Sequence, residues 1–189
     1  FWPNAEPGDA YTYLALKRET SLFAAFSVGK WVQDTCDELY MRVAERTRQP
    51  TYRNKIGFCT DGNDQNLSAI LESFNKDCVN YGQVIKDKVM QKVIGSHVRK
   101  VFGNLAYSEI YINNIDGFCS ALRERLKFAV RRAKTFVKRR NTISEMLAIY
   151  QAYHNLIKAE SSKTPCMLEG ITVKVWSWSN LFHQRLPYV

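Results

Sequence analysis

A mixed α and β architecture follows from three features of the 189-residue sequence. Two β-prone segments near its start are separated by a short polar turn. A brief apolar run farther along breaks off in an acidic, glycine-containing turn. Two later stretches set apolar residues at three- and four-residue spacing. The length suits one domain with a sizeable core, expected over residues 1–175, followed by a C-terminal tail over 176–189.

The elements follow in order. Tyr11 to Leu16 mixes β-formers with apolar residues and predicts a strand; Ser21 to Val28 predicts its partner, with Lys17 to Thr20 as the turn and Gly29 as the end of the hairpin. Cys36, Leu39, Tyr40 and Val43 predict a helix that Asp34 caps and the polar stretch around Pro50 breaks. Lys55 to Thr60 predicts a buried central strand that ends in Asp61-Gly62-Asn63-Asp64. Leu67, Ile70, Leu71 and Phe74 mark a short amphipathic helix. Val79 to Lys86, Lys92 to Gly95 and Glu109 to Asn114 are expected to be short and extended, with His97 to Tyr107 irregular. Leu122, Leu126 and Val130 predict the apolar face of a helix running into the basic segment. Thr142-Ile143-Ser144-Glu145 is a capping-box pattern opening another helix, with Leu147, Tyr150, His154 and Ile157 on one face and Pro165 as its stop.

Composition narrows the function classes. A chain that is 46% hydrophobic and 13% aromatic is no disordered tail. It contains no apolar run of roughly 18 residues, so no membrane partner is expected. The start lacks a signal-peptide pattern. Five scattered cysteines predict free thiols in a reducing, cytoplasmic compartment. Three isolated histidines give no zinc spacing. The net charge is +9, and nearly all of it sits between Arg123 and Arg140, where nine basic residues face one acid. Arg123, Arg125, Arg131, Arg132, Lys134, Lys138, Arg139 and Arg140 are therefore candidate phosphate contacts. The alternative for this run is a solvated helix face.

Asp61 and Asp116 are the candidate metal ligands and catalytic residues. One ends a strand and the other opens a helix, and two such carboxylates can meet on a divalent ion, which prefers hard oxygen ligands. The alternative is equally local: a turn aspartate and a helix cap.

An ordered set of motifs bears on that choice. Gly8-Asp9-Ala10-Tyr11-Thr12-Tyr13-Leu14-Ala15-Leu16, Glu19-Thr20 and Phe26-Ser27-Val28-Gly29-Lys30 resemble the hairpin of insertion-sequence-one-type transposases. Thr60-Asp61-Gly62 is similar to the T-D-G of that family, and Val93-Ile94-Gly95 to its V-I-G. Ile110 to Arg123 resembles the segment with the third acid, placing Asp116 there and Arg123 at a recurring arginine. Arg131 to Phe136, Tyr150 to Asn155 and Thr164 to Ile171 resemble its R-R-x-T-x-x-F, Y-x-x-Y-N and T-P-A-M-x-A-G-I regions. The agreement runs from about residue 8 to 171.

The resemblance implies a ribonuclease-H-like mixed sheet flanked by helices, a DDE-type site using Mg2+ or Mn2+, and phosphodiester cleavage with strand transfer in DNA transposition. It implies DNA partners, both transposon ends and target, homo-oligomers on DNA, and a nucleoid-associated location. Two departures stand out. The first acid of the family lies on a strand ahead of the hairpin, before this chain begins, and Asp9 matches a turn aspartate instead. The third acid is an aspartate followed by Gly117-Phe118, where an arginine and a polar residue are usual. A catalytically inactive, transposase-derived nucleic-acid-binding domain is the alternative function.

Overall fold

The computed structural model describes residues 10–90, 92–129, 137 and 139–184. In chain order the main elements are β1 (Tyr11–Leu16), β2 (Phe23–Gly29), α1 (Gln33–Arg46), β3 (Ile56–Asp61), α2 (Gln65–Ser73), β4 (Val79–Val89), β5 (Lys92–Phe102), α3 (Asn113–Arg125), α4 (Arg140–Ala152), α5 (Pro165–Leu168) and α6 (Trp178–Phe182). The fold is mixed α and β, with two separate sheets. One is the antiparallel pair β1–β2; the other runs β3–β4–β5, with β3 parallel and β5 antiparallel to β4.

The hairpin forms where the sequence places it, and a bulge refines it. Ala15 pairs with Ala25 and Leu16 with Phe23, which leaves Ala24 as an extra residue. That residue turns Phe23 onto the same face as Phe26. Tyr13, Ala15 and Ala25 consequently face α1, where Leu39, Tyr40 and Val43 are buried. Leu14, Leu16, Phe23, Phe26 and Val28 face the opposite way, against Phe118 and Leu122 of α3 and Leu147 and Tyr150 of α4. Helices therefore cover the hairpin on both sides, and Phe23 is fully buried.

The second sheet is covered differently. Ile56 and Phe58 of β3 and Val79 and Tyr81 of β4 join the α1 core, together with Ala69 and Ile70 of α2. Beyond Asp61, among the described residues, only β5 pairs with β4, and Lys92 to His97 of β5 are exposed on both faces. Val93 and Ile94 are 57% and 69% exposed, and Met90 at the tip is 94% exposed with a positive φ.

Several local expectations are corrected. β3 lies at an edge of its sheet and not at the centre, because among the described residues only β4 pairs with it. β4 and β5 are long strands of 11 residues each, where short pieces and an irregular stretch were expected; backbone pairing holds them together without an alternating apolar pattern to reveal them. Glu109 to Asn114 is no strand. A single turn at Tyr107–Glu109, where the Glu109 carboxylate accepts from the Ala106 N–H at 2.7 Å, leads into α3. The alternating Ile110 and Ile112 are both buried as loop anchors. α1 starts at Gln33 with Val32 at the cap position, so Asp34 lies in the first turn, where its charge suits the helix dipole.

α3 also stops at Arg125. Leu126 is extended and a short turn follows at Lys127–Ala129, so the described part of the basic run is no continuous helix. Val130, Arg131, Arg132, Lys134 and Lys138 lie outside the described residues. α4 begins at Arg140 with Arg139 at its cap, ahead of the expected capping box, and continues as a wider turn over Tyr153–Ile157. The chain leaves the helix at Lys158. Pro165 opens α5, with the Thr164 hydroxyl accepting from Met167 N–H.

Candidate functional site

Strand alternation decides where the two acids lie relative to each other. Side chains at paired positions of neighbouring strands point to the same face, and the face alternates along each strand. Asp61 pairs with Val84, and Lys86 is two residues beyond, so Asp61, Val84 and Lys86 share one face. Phe58 and Thr60 alternate to the other face, toward Tyr40 and Tyr81, but Asp61 is the last residue of β3 and its carboxylate reaches Asn66, which also bonds Tyr40 of α1. Lys86 Nζ then donates to Asp116 Oδ2 at 3.2 Å. The ion pair ties the first turn of α3 to β4. Asp61 and Asp116, 55 residues apart in sequence, both line one cavity of about 1450 Å³.

The packing that delivers Asp116 is local and specific. α3 turns Phe118 and Leu122 into the core under the hairpin, with the Phe118 ring 5.0 Å from that of Phe23. Ile115, Asp116, Cys119 and Arg123 are the residues left to line the cavity. Arg123 lies seven residues after Asp116, hence on the same helix face and about 10 Å along it. Close approach of the connecting loop depends on Gly82, where a Cβ would fall 2.6 Å from the Ile110 side chain.

Asp61 is held from the other side. Its Oδ1 accepts from the Asn66 side-chain amide and from Asn63 N–H, both at 3.2 Å. Asn66 in turn accepts from the buried Tyr40 hydroxyl at 3.1 Å. Burial pushes the Tyr40 hydroxyl well up and the Cys36 thiol to about 12; the Asp61 charge acts in the same direction on both. Tyr81 is likewise raised to about 12 by burial, against hydrogen bonds from Thr60 and Gln83. These groups stay protonated and serve as fixed neighbours of the carboxylate. Asp61 Oδ2 has no hydrogen-bond partner among the described residues.

The cationic candidates divide. Arg123 lines the cavity beside the acids. Arg125 rests on the Tyr153 ring at 5.7 Å and donates to its hydroxyl, and Arg140 meets Glu38 at 3.8 Å. Arg139 sits at the start of α4 and is exposed. The sequence reading overlooked Lys86, Asn63 and Asn66. A lysine inside an otherwise β-forming stretch, and the amide-rich Asn63-Asp64-Gln65-Asn66 after the strand, were the available signals.

Two exposed carboxylates offer hard oxygen donors of the kind Mg2+ takes, and that ion commonly uses only one or two from protein. The exposed Lys86 pair is a weak restraint on Asp116. Among the described residues no group of three or more His, Cys, Asp or Glu forms a site that could hold a metal ion. No described helix is long and apolar enough to cross a membrane. No disulfide joins the five cysteines, all of which lie among the described residues. No protein-family model, no curated protein and no solved structure matches the chain.

Proposed function

We propose that this chain carries part of a cation-dependent phosphodiester-processing site, in a transposase-type domain of ribonuclease-H-like architecture acting on DNA. The observation that carries the reading is that Asp61, at the end of β3, and Asp116, in the first turn of α3, line one cavity. The layering supports it, with α1 packed on both sheets, α3 packed on the hairpin and the first turn of α3 tied to β4 by the Lys86–Asp116 pair. The ordered motifs point to the same two aspartates.

Asp61 and Asp116 would hold Mg2+ or Mn2+, and a bound ion of this kind stabilises charge developing on phosphodiester oxygens. The chain's own groups do the rest. Asn66 and Asn63 fix the Asp61 carboxylate so that one oxygen is restrained and the other is open. Lys86, once exchanged from Asp116, is a point charge for a phosphate oxygen. Arg123 offers a planar fork for the next phosphate along α3. The first acid of the family's triad would fall on the strand that the resemblance puts ahead of the hairpin. Homo-oligomers on DNA and a nucleoid location belong to this same proposal.

A second reading, a nucleic-acid-binding domain without catalysis, is favoured by the Lys86–Asp116 pair, which already neutralises one acid, and by Phe118, a core residue beside the third-acid position. A plasmid-nicking assay separates them, run with Mg2+, Mn2+ or chelator on the parent chain and on Asp61→Asn and Asp116→Asn. Nicking that needs the cation and both carboxylates supports the first reading. Salt-dependent DNA retention without nicking supports the second, and neither retention nor nicking contradicts both.

A further inference from the structure

The C-terminal part of the chain carries a row of near-parallel rings. Tyr153, in the wider turn that continues α4, lies 5.8 Å from Trp178 with 8° between the ring planes. Trp178 lies 5.9 Å from Phe182 with 20° between them. Arg125 joins the row at Tyr153, its guanidinium 5.7 Å from the ring centre and bonded to the hydroxyl at 3.3 Å. Rings that serve the core are set otherwise: Phe23 and Phe118 meet at 62°, Tyr40 and Phe58 at 77°. The row also stays in water, with Trp178 41% and Phe182 76% exposed.

The local structure holds these rings in place. Trp176 N–H donates to the Leu156 carbonyl at 2.9 Å, which ties the segment ahead of α6 to the turn bearing Tyr153. Ser177 then caps α6: its hydroxyl accepts from Asn180 N–H at 3.1 Å, and the Asn180 side chain accepts from Ser177 N–H at 2.9 Å. Trp178 and Phe182 are four residues apart on α6 and so meet on one side of it. Flat apolar surface fixed in this way and left exposed marks a binding site more often than a packing defect. The charge around it has one sign in sequence: from Gly170 to Val189 there are two basic residues, Lys174 and Arg185, and no acid.

We infer that the Tyr153–Trp178–Phe182 row is a stacking platform for unpaired bases of single-stranded DNA. Every base has a flat π face, so a base laid on Phe182 extends the row without any hydrogen-bonding code, and the guanidinium and lysine charge suits the phosphates of the strand. Bases inside a duplex are already stacked and cannot reach it. An apolar peptide would gain nothing from that charge. The three rings lie outside the described lining of the cavity that Asp61 and Asp116 share, so the platform is a second contact with nucleic acid and stands whether or not the acids bind a cation. Only the choice of DNA over RNA rests on the proposed function.

The test measures, on the full chain at fixed salt, binding of fluorescent oligothymidylate of about twelve nucleotides, a length within the usual footprint of single-strand binders. Phe182→Ala should weaken it about 5- to 100-fold, and Phe182→Trp should restore it. An abasic strand of the same length keeps the phosphates and loses the stacking, so it should bind the parent and Phe182→Ala alike. Because Phe182 is largely exposed, the thermal melt of the alanine variant should match that of the parent. Absence of oligothymidylate binding by the parent, equal affinity in Phe182→Ala, or an equal loss on the abasic strand overturns the inference. So does a concentration-dependent dimer abolished by Phe182→Ala, which would give the rings to a second copy. Ring-dependent binding confined to oligouridylate overturns the choice of DNA. A chain that fails to nick DNA yet binds oligothymidylate through Phe182 contradicts the catalytic reading and supports this one.

Discussion

The hairpin β1–β2 and the outer part of β4–β5 are both antiparallel pairs, yet they are held in opposite ways. Both faces of the first lie under helices, and Phe23, Ala25, Phe26 and Val28 are buried. The second projects past the end of β3 with both faces in solvent. A two-stranded ribbon alone is marginal in water, so backbone pairing is nearly all that keeps the outer part in place. The lesson is where the stability and the site reside. The acids stand at the boundary, where Asp61 ends the covered part of the sheet and Lys86 begins the uncovered part.

The comparison breaks most visibly at Phe23. Phe23→Ala should cost about 3–5 kcal/mol by denaturant unfolding, because a fully buried ring between α3 and α4 leaves a cavity there. A loss near 1 kcal/mol would mean that the hairpin core collapses freely. Gly82→Ala tests the boundary itself. The new methyl would sit 2.6 Å from Ile110, and about 1–3 kcal/mol of destabilisation is expected from overpacking. Ile110→Ala in the same background should recover part of it.

His154 reports on the covered side through pH. Burial lowers its pKa, the Ser21 carbonyl accepts from Nε2 at 2.8 Å, and Nδ1 is buried without a hydrogen-bond partner among the described residues. The folded state thus favours neutral imidazole. Its contribution is fully present above about pH 6.5, the ordinary histidine value, and is lost as pH falls from there toward the lower folded pKa. Thermal melts across that window should lose stability on acidification in the parent, and His154→Gln should flatten this part of the profile. At the other extreme, Ile94→Ala on the ribbon should stay within about 0.5 kcal/mol of the parent. A larger cost would show that something covers the ribbon. On DNA, Arg123→Ala should reduce the slope of log affinity against log salt by about 0.9 for one lost phosphate contact, with Arg125→Ala changing it less because that guanidinium rests on Tyr153.

What could be read in advance follows the same division. Elements buried on a face announce themselves by period, as the hairpin, α1 and α4 do through Phe26, Leu39 and Leu147. The ribbon has no buried face, so Lys92 to His97 carried no pattern to read. Ile110 and Ile112 alternate like a strand but are anchors of a loop, one of them filling the space left by Gly82. Asp61 was readable because a strand ended there. That Asp116 comes to the same cavity was expected with it; the Lys86 contact that holds Asp116 there was not, since it depends on how far β4 runs past Asp61.

The proposed common site of Asp61 and Asp116 is tested most directly with Mn2+ as a paramagnetic probe of the amide spectrum. The proposed function predicts that substoichiometric Mn2+ broadens residues 61–63, 84–86 and 113–117 together, and that the Asp61→Asn/Asp116→Asn double variant loses the effect at all three. Broadening at only one of these segments, or an undiminished response in the double variant, would contradict a common site.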